Sequence, residues 1–177
     1  MFEIKGGTVE VRSIRPEGAE AQLVFARAMF RSSPYVLTLV EEFDLMIEKE
    51  AEFIRDRLAA PNSIFLNAMH GDEIVGSLDL HGHTKRKIAH QAVLGMGIAE
   101  AWHGRGVGDA LMRAALAWAT AHPVLEIVTL AVFAVNEPAL RLYRKHGFVE
   151  CGRLPRALKQ RDGSEHENVE MYRRVKG

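Results

Sequence analysis

The stretch from Val124 to Val135 is almost continuously apolar and rich in β-branched residues. No polar alternation interrupts it, so a strand built from it has to be covered on both faces. His122-Pro123 stands before it, and Asn136-Glu137-Pro138 follows it as a helix start. The run is far too short to cross a bilayer as a helix. A layered α/β architecture, with helices above and below one sheet, is the arrangement that meets this requirement.

The rest of the chain fits that architecture. Val9 to Ile14 alternates as a strand does. Helical spacing runs from Pro16 to Phe30, with Leu23, Ala26 and Phe30 on one face. It returns from Glu41 to Leu58, where Phe43, Ile47, Ile54 and Leu58 recur. Ser63 to Met69 and Glu73 to Leu80 flank the turn His70-Gly71-Asp72, and His90 to Ile98 follows a polar connection. These three strands form an antiparallel meander. Gly106 to Ala121 is a helix with Val107, Leu111, Ala114 and Trp118 as its buried stripe. The helix opened by Asn136 ends at Gly147, in the usual position past a helix C-terminus. Phe148 to Pro155 and Val169 to Val175 complete the order β-α-α-β-β-β-α-β-α-β-β.

Charge narrows the partners. Lys and Arg number 23 and so do Asp and Glu, so the chain of 177 residues carries no net charge. That disfavours nucleic acid. The N-terminus lacks the apolar stretch of a secretory signal, and a cytoplasmic protein with no membrane partner is expected. The single cysteine, Cys151, excludes an internal disulfide and a cysteine-based zinc site, and is expected to be a small packed strand residue.

Chemistry concentrates in Trp102-His103-Gly104-Arg105-Gly106-Val107-Gly108-Asp109. It follows a strand and opens a helix, where free N–H groups and the helix dipole together suit an anion such as phosphate. Neither the Gly-Lys-Ser/Thr of a Walker loop nor the spacing of the dinucleotide fingerprint is present. The preceding strand carries Gly95 and Gly97, and glycines inside a strand often mark a close backbone approach. Downstream, Asn136 and Tyr143 lie two helical turns apart and near one face.

In this order and spacing, His103-Gly104-Arg105-Gly106-Val107-Gly108 and the Asn136…Tyr143…Gly147-Phe148 string resemble the GNAT superfamily of acetyl-CoA-dependent N-acetyltransferases. His103 departs from the Gln or Arg usual at the first loop position. The resemblance implies a mixed, mostly antiparallel central sheet flanked by helices on both faces, in one domain spanning residues 1–177. It implies acetyl-CoA as co-substrate, with backbone groups of Met96, Gly97 and Ile98 holding the pantetheine arm. The loop His103, Gly104, Arg105, Gly106, Val107, Gly108 and Asp109 would cradle the pyrophosphate. Asn136 would contact the cofactor near its thioester, and Tyr143 would serve as general acid for the leaving thiolate. A strand N–H near Ile98 would stabilise the oxyanion.

The expected reaction is direct attack by a primary amine in a ternary complex, with no metal required. The acceptor, a small molecule or peptide amine, would lie beneath the early helices, with Ser32 to Glu42 as part of its wall. Glu100, Asp79 and Glu126 lie near strand ends and are expected to be solvated, so no general base stands out. Glu41, Glu42, Asp44, Glu48 and Glu50 are expected to form a solvated helix face. His81, His83 and His90 read as a polar hairpin rather than a metal site. A longer acyl-CoA donor and a CoA-binding regulator are the alternatives, and exposed edges of the C-terminal strands are compatible with a homodimer or a monomer.

Overall fold

The apolar run forms a central strand, but only from Ile127 to Phe133, and Val124 and Val135 are exposed beyond its ends. The computed structural model describes residues 1–39, 41–43 and 46–176. Its strands are β1 (Phe2–Ile4), β2 (Gly7–Ser13), β3 (Ile64–His70), β4 (Glu73–Gly82), β5 (Gln91–Ile98), β6 (Ile127–Phe133), β7 (Val149–Lys159) and β8 (Glu165–Arg174). Its α-helices are α1 (Ala19–Ser32), α2 (Ile47–Ala59), α3 (Val107–Ala121) and α4 (Glu137–Lys145). Among the described residues the strands form one eight-stranded sheet in the order β1-β2-β3-β4-β5-β6-β8-β7. The meander β3-β4-β5 is antiparallel, as its short turns require.

One pairing differs from the rest. Strands β5 and β6 run parallel and pair only at Gln91–Ile127, Ala92–Val128 and Val93–Thr129. Beyond that point β5 continues to Ile98 and β6 to Phe133 without pairing to each other. The sheet therefore splays open at the C-terminal ends of these two strands.

The two faces carry different layers. Leu78 and Leu80 of β4 join the main core with Leu111, Met112 and Ala115 of α3. Alternation sends Ser77 and Asp79 to the opposite face, where Gln22 of α1 bonds Ser77 and Arg57 of α2 pairs with Asp79. Helices thus cover both faces, as the sequence predicts. The buried side of α3 is wider than the expected stripe, because Ala110, Met112, Ala115, Leu116 and Ala119 are buried while Ala114 and Trp118 are only half-buried.

Other expectations are corrected. Helix α2 starts at Ile47 rather than Glu41. The Glu42 carboxylate accepts the Leu39 N–H, which forms a turn, and Phe43 is held edge-on against Phe30 at 4.6 Å. Phe43 is therefore packed on α1 and outside the helix. The short β1 pairs with β2 and extends the sheet by a strand that the sequence pattern does not reveal. Strand β7 continues past Pro155 to Lys159, and Cys151 on it is exposed rather than packed.

Candidate active site

The open end of β5 determines where a ligand can lie. The Ala99 N–H bonds the Val75 carbonyl, on the β4 side. Strand alternation then turns the backbone groups of Ile98 and Met96 toward the splay, and those of Gly97 toward β4. Met96 and Ile98 therefore present ladder groups that β6 does not use. His103 Nε2 lies 3.0 Å from the Ile98 carbonyl oxygen and donates to it from the Nε2–H tautomer. The residue that departs from the expected Gln or Arg thus ties the loop back to the strand.

The loop itself is shaped by Gly104 and Gly106, with φ of +68° and +97°, which favour glycine. Gly106 is the N-cap of α3, and no side chain caps its first turn. The first N–H groups of α3 are therefore left to face a ligand. On its far side the loop is buttressed by β1. The Lys5 N–H donates to the Arg105 carbonyl at 2.8 Å, and Ile4 packs beneath Gly106. The Arg105 guanidinium lies over Trp102 at 5.0 Å, and Trp102 packs at a tilt against His70, with ring centroids 4.7 Å apart.

Asp109 sits in the first turn of α3, and its carboxylate holds Lys145 Nζ at 2.5 Å and His146 Nε2 at 3.0 Å. Burial pulls the Asp109 carboxyl upward, but the hydrogen bonds and charges of Lys145 and His146 outweigh it and hold it below its usual value. Gly108 permits the same contact to close. A Cβ there would lie 2.8 Å from Leu142 Cδ2 and 3.9 Å from Met96 Sδ. The start of α3, the middle of α4 and the open part of β5 meet at this point.

Helix α4 supplies two polar groups. Asn136 caps it, with Oδ1 accepting the Ala139 N–H at 3.3 Å, which leaves Nδ2 unengaged among the described residues. Tyr143 is 7% exposed and packs with Leu140 and Phe148 in the main core. Burial pushes its hydroxyl up to about 12, so it stays protonated at neutral pH.

On the other side of β5 lies a cavity of about 440 Å³ between the sheet and α1 and α2. Its floor contains Ser77, Asp79, Gly95 and Gly97, and its walls include Phe25, Met29, Phe30, Phe43, Phe53 and Phe65. Gly97 leaves room for Met29, and Gly95 for the Asp79 carboxylate, whose Oδ1 would be 2.7 Å from a Cβ at that position. A closed ring of hydrogen bonds fixes α1 above the floor. Gln22 donates to Ser77 at 3.4 Å, Ser77 to Asn67 at 3.0 Å and Asn67 back to Gln22 at 3.0 Å.

The Acetyltransferase (GNAT) family matches residues 27–148, which contain β5, the glycine loop, α3 and α4. The chain belongs to this family. It is 32% identical over 95 residues to the L-amino acid N-acetyltransferase AaaT of Escherichia coli, a match covering 53% of this chain and 59% of that protein. That stretch is less than two thirds of the relative's length. The GNAT fold is also evident in structure. A GNAT acetyltransferase from Streptococcus pneumoniae superposes with a TM-score of 0.90 at 22% identity, covering 96% of this chain and all of that one. The phosphinothricin acetyltransferase of Sinorhizobium meliloti, solved with acetyl-CoA, does so with a TM-score of 0.83 at 13% identity, covering 94% of this chain and 88% of that one.

Within this GNAT frame two carboxylates depart from expectation. Glu100 and Glu126 are exposed, as the sequence predicts. Glu50, expected to be solvated, is 3% exposed in the cavity wall, and Asp79 is half-buried on the cavity floor rather than open to solvent. Burial raises both, with Arg57 opposing the shift at Asp79. Asp44, grouped with them from sequence, lies outside the described residues. Among the described residues no three His, Cys, Asp or Glu side chains converge as a metal site, and no helix is long and apolar enough to cross a membrane.

Proposed function

We propose that this protein is an N-acetyltransferase that uses acetyl-CoA and a primary amine in a ternary complex. The observation that carries this reading is the continuity of the open β5 edge with the uncapped start of α3, with the cavity on the other side of the same strand. The residues present fit the donor. Met96 offers both of its strand groups and Ile98 its N–H for an extended amide-bearing arm, and Gly104 to Asp109 offer N–H groups for a pyrophosphate. The acetyl-CoA in the Sinorhizobium meliloti structure and the activity named for the Escherichia coli relative support the same donor and reaction class.

Acetyl-CoA supplies an acetyl group already activated as a thioester. The chain's own groups do the rest. The Ile98 N–H, turned toward the splay, donates toward a carbonyl oxygen that gains charge. Tyr143 holds a proton at Oη for the departing sulfur. The cavity holds the amine on the opposite side of β5, and much of the acceleration comes from fixing the two reactants together.

The test is the melting temperature with acetyl-CoA, free CoA and ATP. At a hundred times its Kd a ligand stabilises by about 2.7 kcal/mol, which is a shift of several degrees for a domain of this size. Shifts with acetyl-CoA and CoA but not ATP are expected. No shift with either CoA species at saturation overturns the reading.

A further inference from the structure

The cavity over β5 contains charge that its own residues do not balance. Among the described residues its lining carries two carboxylates, Glu50 and Asp79, and one cation, Arg57. Arg57 pairs with Asp79 at 3.5 Å. Glu50 has no side-chain hydrogen bond or ion pair among the described residues, although it is 3% exposed. A buried carboxylate without a partner is unfavourable unless a ligand supplies one. Two negative charges against one positive leave room for a single cation. The remaining wall is mostly phenylalanine and methionine, which suits an apolar body.

We infer that this cavity takes a primary amine with one positive charge on an apolar, ring-sized body, and that Asp79 accepts the proton its ammonium must lose. This inference rests on the acetyltransferase reading and specifies its acceptor. Both carboxylates line the cavity that takes the ammonium, and Asp79 is the one that meets it. Asp79 is the proton acceptor because its carboxylate sits directly over Gly95, on the strand whose open edge receives the donor. Arg57 orients Asp79, and its guanidinium is in turn stacked over Phe53 at 4.8 Å.

The chemistry balances. One ammonium N–H bond breaks and an O–H bond forms on Asp79, which frees the nitrogen lone pair. The C–N bond forms as the carbonyl π pair moves onto oxygen; when that pair returns, the C–S bond breaks and its electron pair leaves on sulfur. The nitrogen gives its second proton to solvent, and the departing sulfur, hydrogen-bonded by Tyr143, takes one from solvent. The proton on Asp79 goes to solvent, so each turnover releases one.

Arg57 from α2 faces Asp79, His81 shares its side of the strand, and Glu50 of α2 lines the same cavity. Burial, Arg57 and His83 all lower His81, so it stays neutral near pH 7 and adds no charge to the cavity. Burial lifts Asp79, which strengthens it as a proton acceptor, while Arg57 keeps it from rising as far as burial alone would take it. It works only when ionised, so activity rises with pH through its titration.

Three probes separate the possibilities: 2-phenylethylamine with one positive charge, phenylalanine with no net charge, and putrescine with two positive charges and no ring. Acetyl transfer to 2-phenylethylamine is expected to exceed the other two by at least tenfold in kcat/KM. Calorimetric binding of the three amines to the full chain without donor should follow the same order. Glu50→Gln should raise KM more than it lowers kcat and weaken amine binding by about tenfold. Asp79→Asn should lower kcat by about 100-fold or more and remove the acid limb of the pH profile. Preference for phenylalanine or putrescine overturns the charge balance. An Asp79→Asn protein with wild-type kcat and pH profile overturns the proton-accepting role. A thermal shift with acetyl-CoA together with no binding or acetylation of any probe overturns this inference and leaves the donor reading standing. Absence of that shift overturns the donor reading, while amine binding still tests the cavity.

Discussion

Tyr143→Phe removes one oxygen from a residue that is 7% exposed and whose hydroxyl has no hydrogen-bond partner to lose among the described residues. Its effect on folding should therefore lie within about 1 kcal/mol of zero. Its effect on catalysis follows from the acidity of the hydroxyl. Burial pushes Tyr143 up to about 12, whereas an ordinary thiol titrates near 8.5. Complete proton transfer from the tyrosine to a free thiolate is then uphill by roughly 3.5 units, about 5 kcal/mol. The hydroxyl acts by hydrogen bonding to sulfur as charge builds there, and solvent completes the transfer. That places the loss in kcat at the low end of general-acid effects, about 100-fold. Thiol release at saturating amine and donor, beside a urea unfolding curve, measures both quantities. An unchanged kcat in a folded variant refutes the role. A loss of more than about 2 kcal/mol in stability refutes the premise that the hydroxyl is structurally idle.

The same residue controls alkaline stability. Above pH 10 the unfolded chain loses the tyrosine proton while the folded chain keeps it up to about 12. Stability falls as pH rises through this window, by roughly 3 kcal/mol, and the difference between wild type and Tyr143→Phe in alkaline unfolding isolates it; an identical decline in both proteins refutes the assignment. Lys5→Pro removes the N–H that holds the Arg105 carbonyl, and should weaken acetyl-CoA binding about fivefold to tenfold by calorimetry. Gln22→Ala breaks the ring with Asn67 and Ser77 and leaves buried polar atoms unpaired, which should lower stability by about 1–3 kcal/mol in urea.

The donor side of the site is legible in the sequence because it is local. His103 to Asp109 is one loop and one helix start, and Asn136 to Phe148 is one helix, so residue order alone brings their groups to the right ends of strands. The acceptor side depends on which face of α2 lands on the sheet. Glu50 stands among other acids in the chain, and nothing in that pattern separates it from solvated neighbours. It is buried because Ile54 on the same helix packs with Ile14, Ala19 and Phe65, which turns the helix inward. Asp79 alternates as any polar strand residue does, and only the descent of α2 and Arg57 onto β4 encloses it. Strand β1 was hidden for a different reason: three residues before a glycine pair are too few to show a period, and its support comes from pairing with β2 and packing on the loop.

The three-pair junction between β5 and β6 also has a mechanical meaning. Strands β1 to β5 form one leaf and β6 to β8 another, and the backbone ladder joins the leaves at one end only. Such a sheet behaves as a book bound along residues 91–93 and 127–129. A molecule lying in the gap and bonded to both leaves is a cross-tie, and it resists rotation far from the binding where leverage is greatest. The fold thus reserves part of its own rigidity for the ligand. Amide exchange on both leaves should slow together when the gap is filled, even at positions the ligand does not touch.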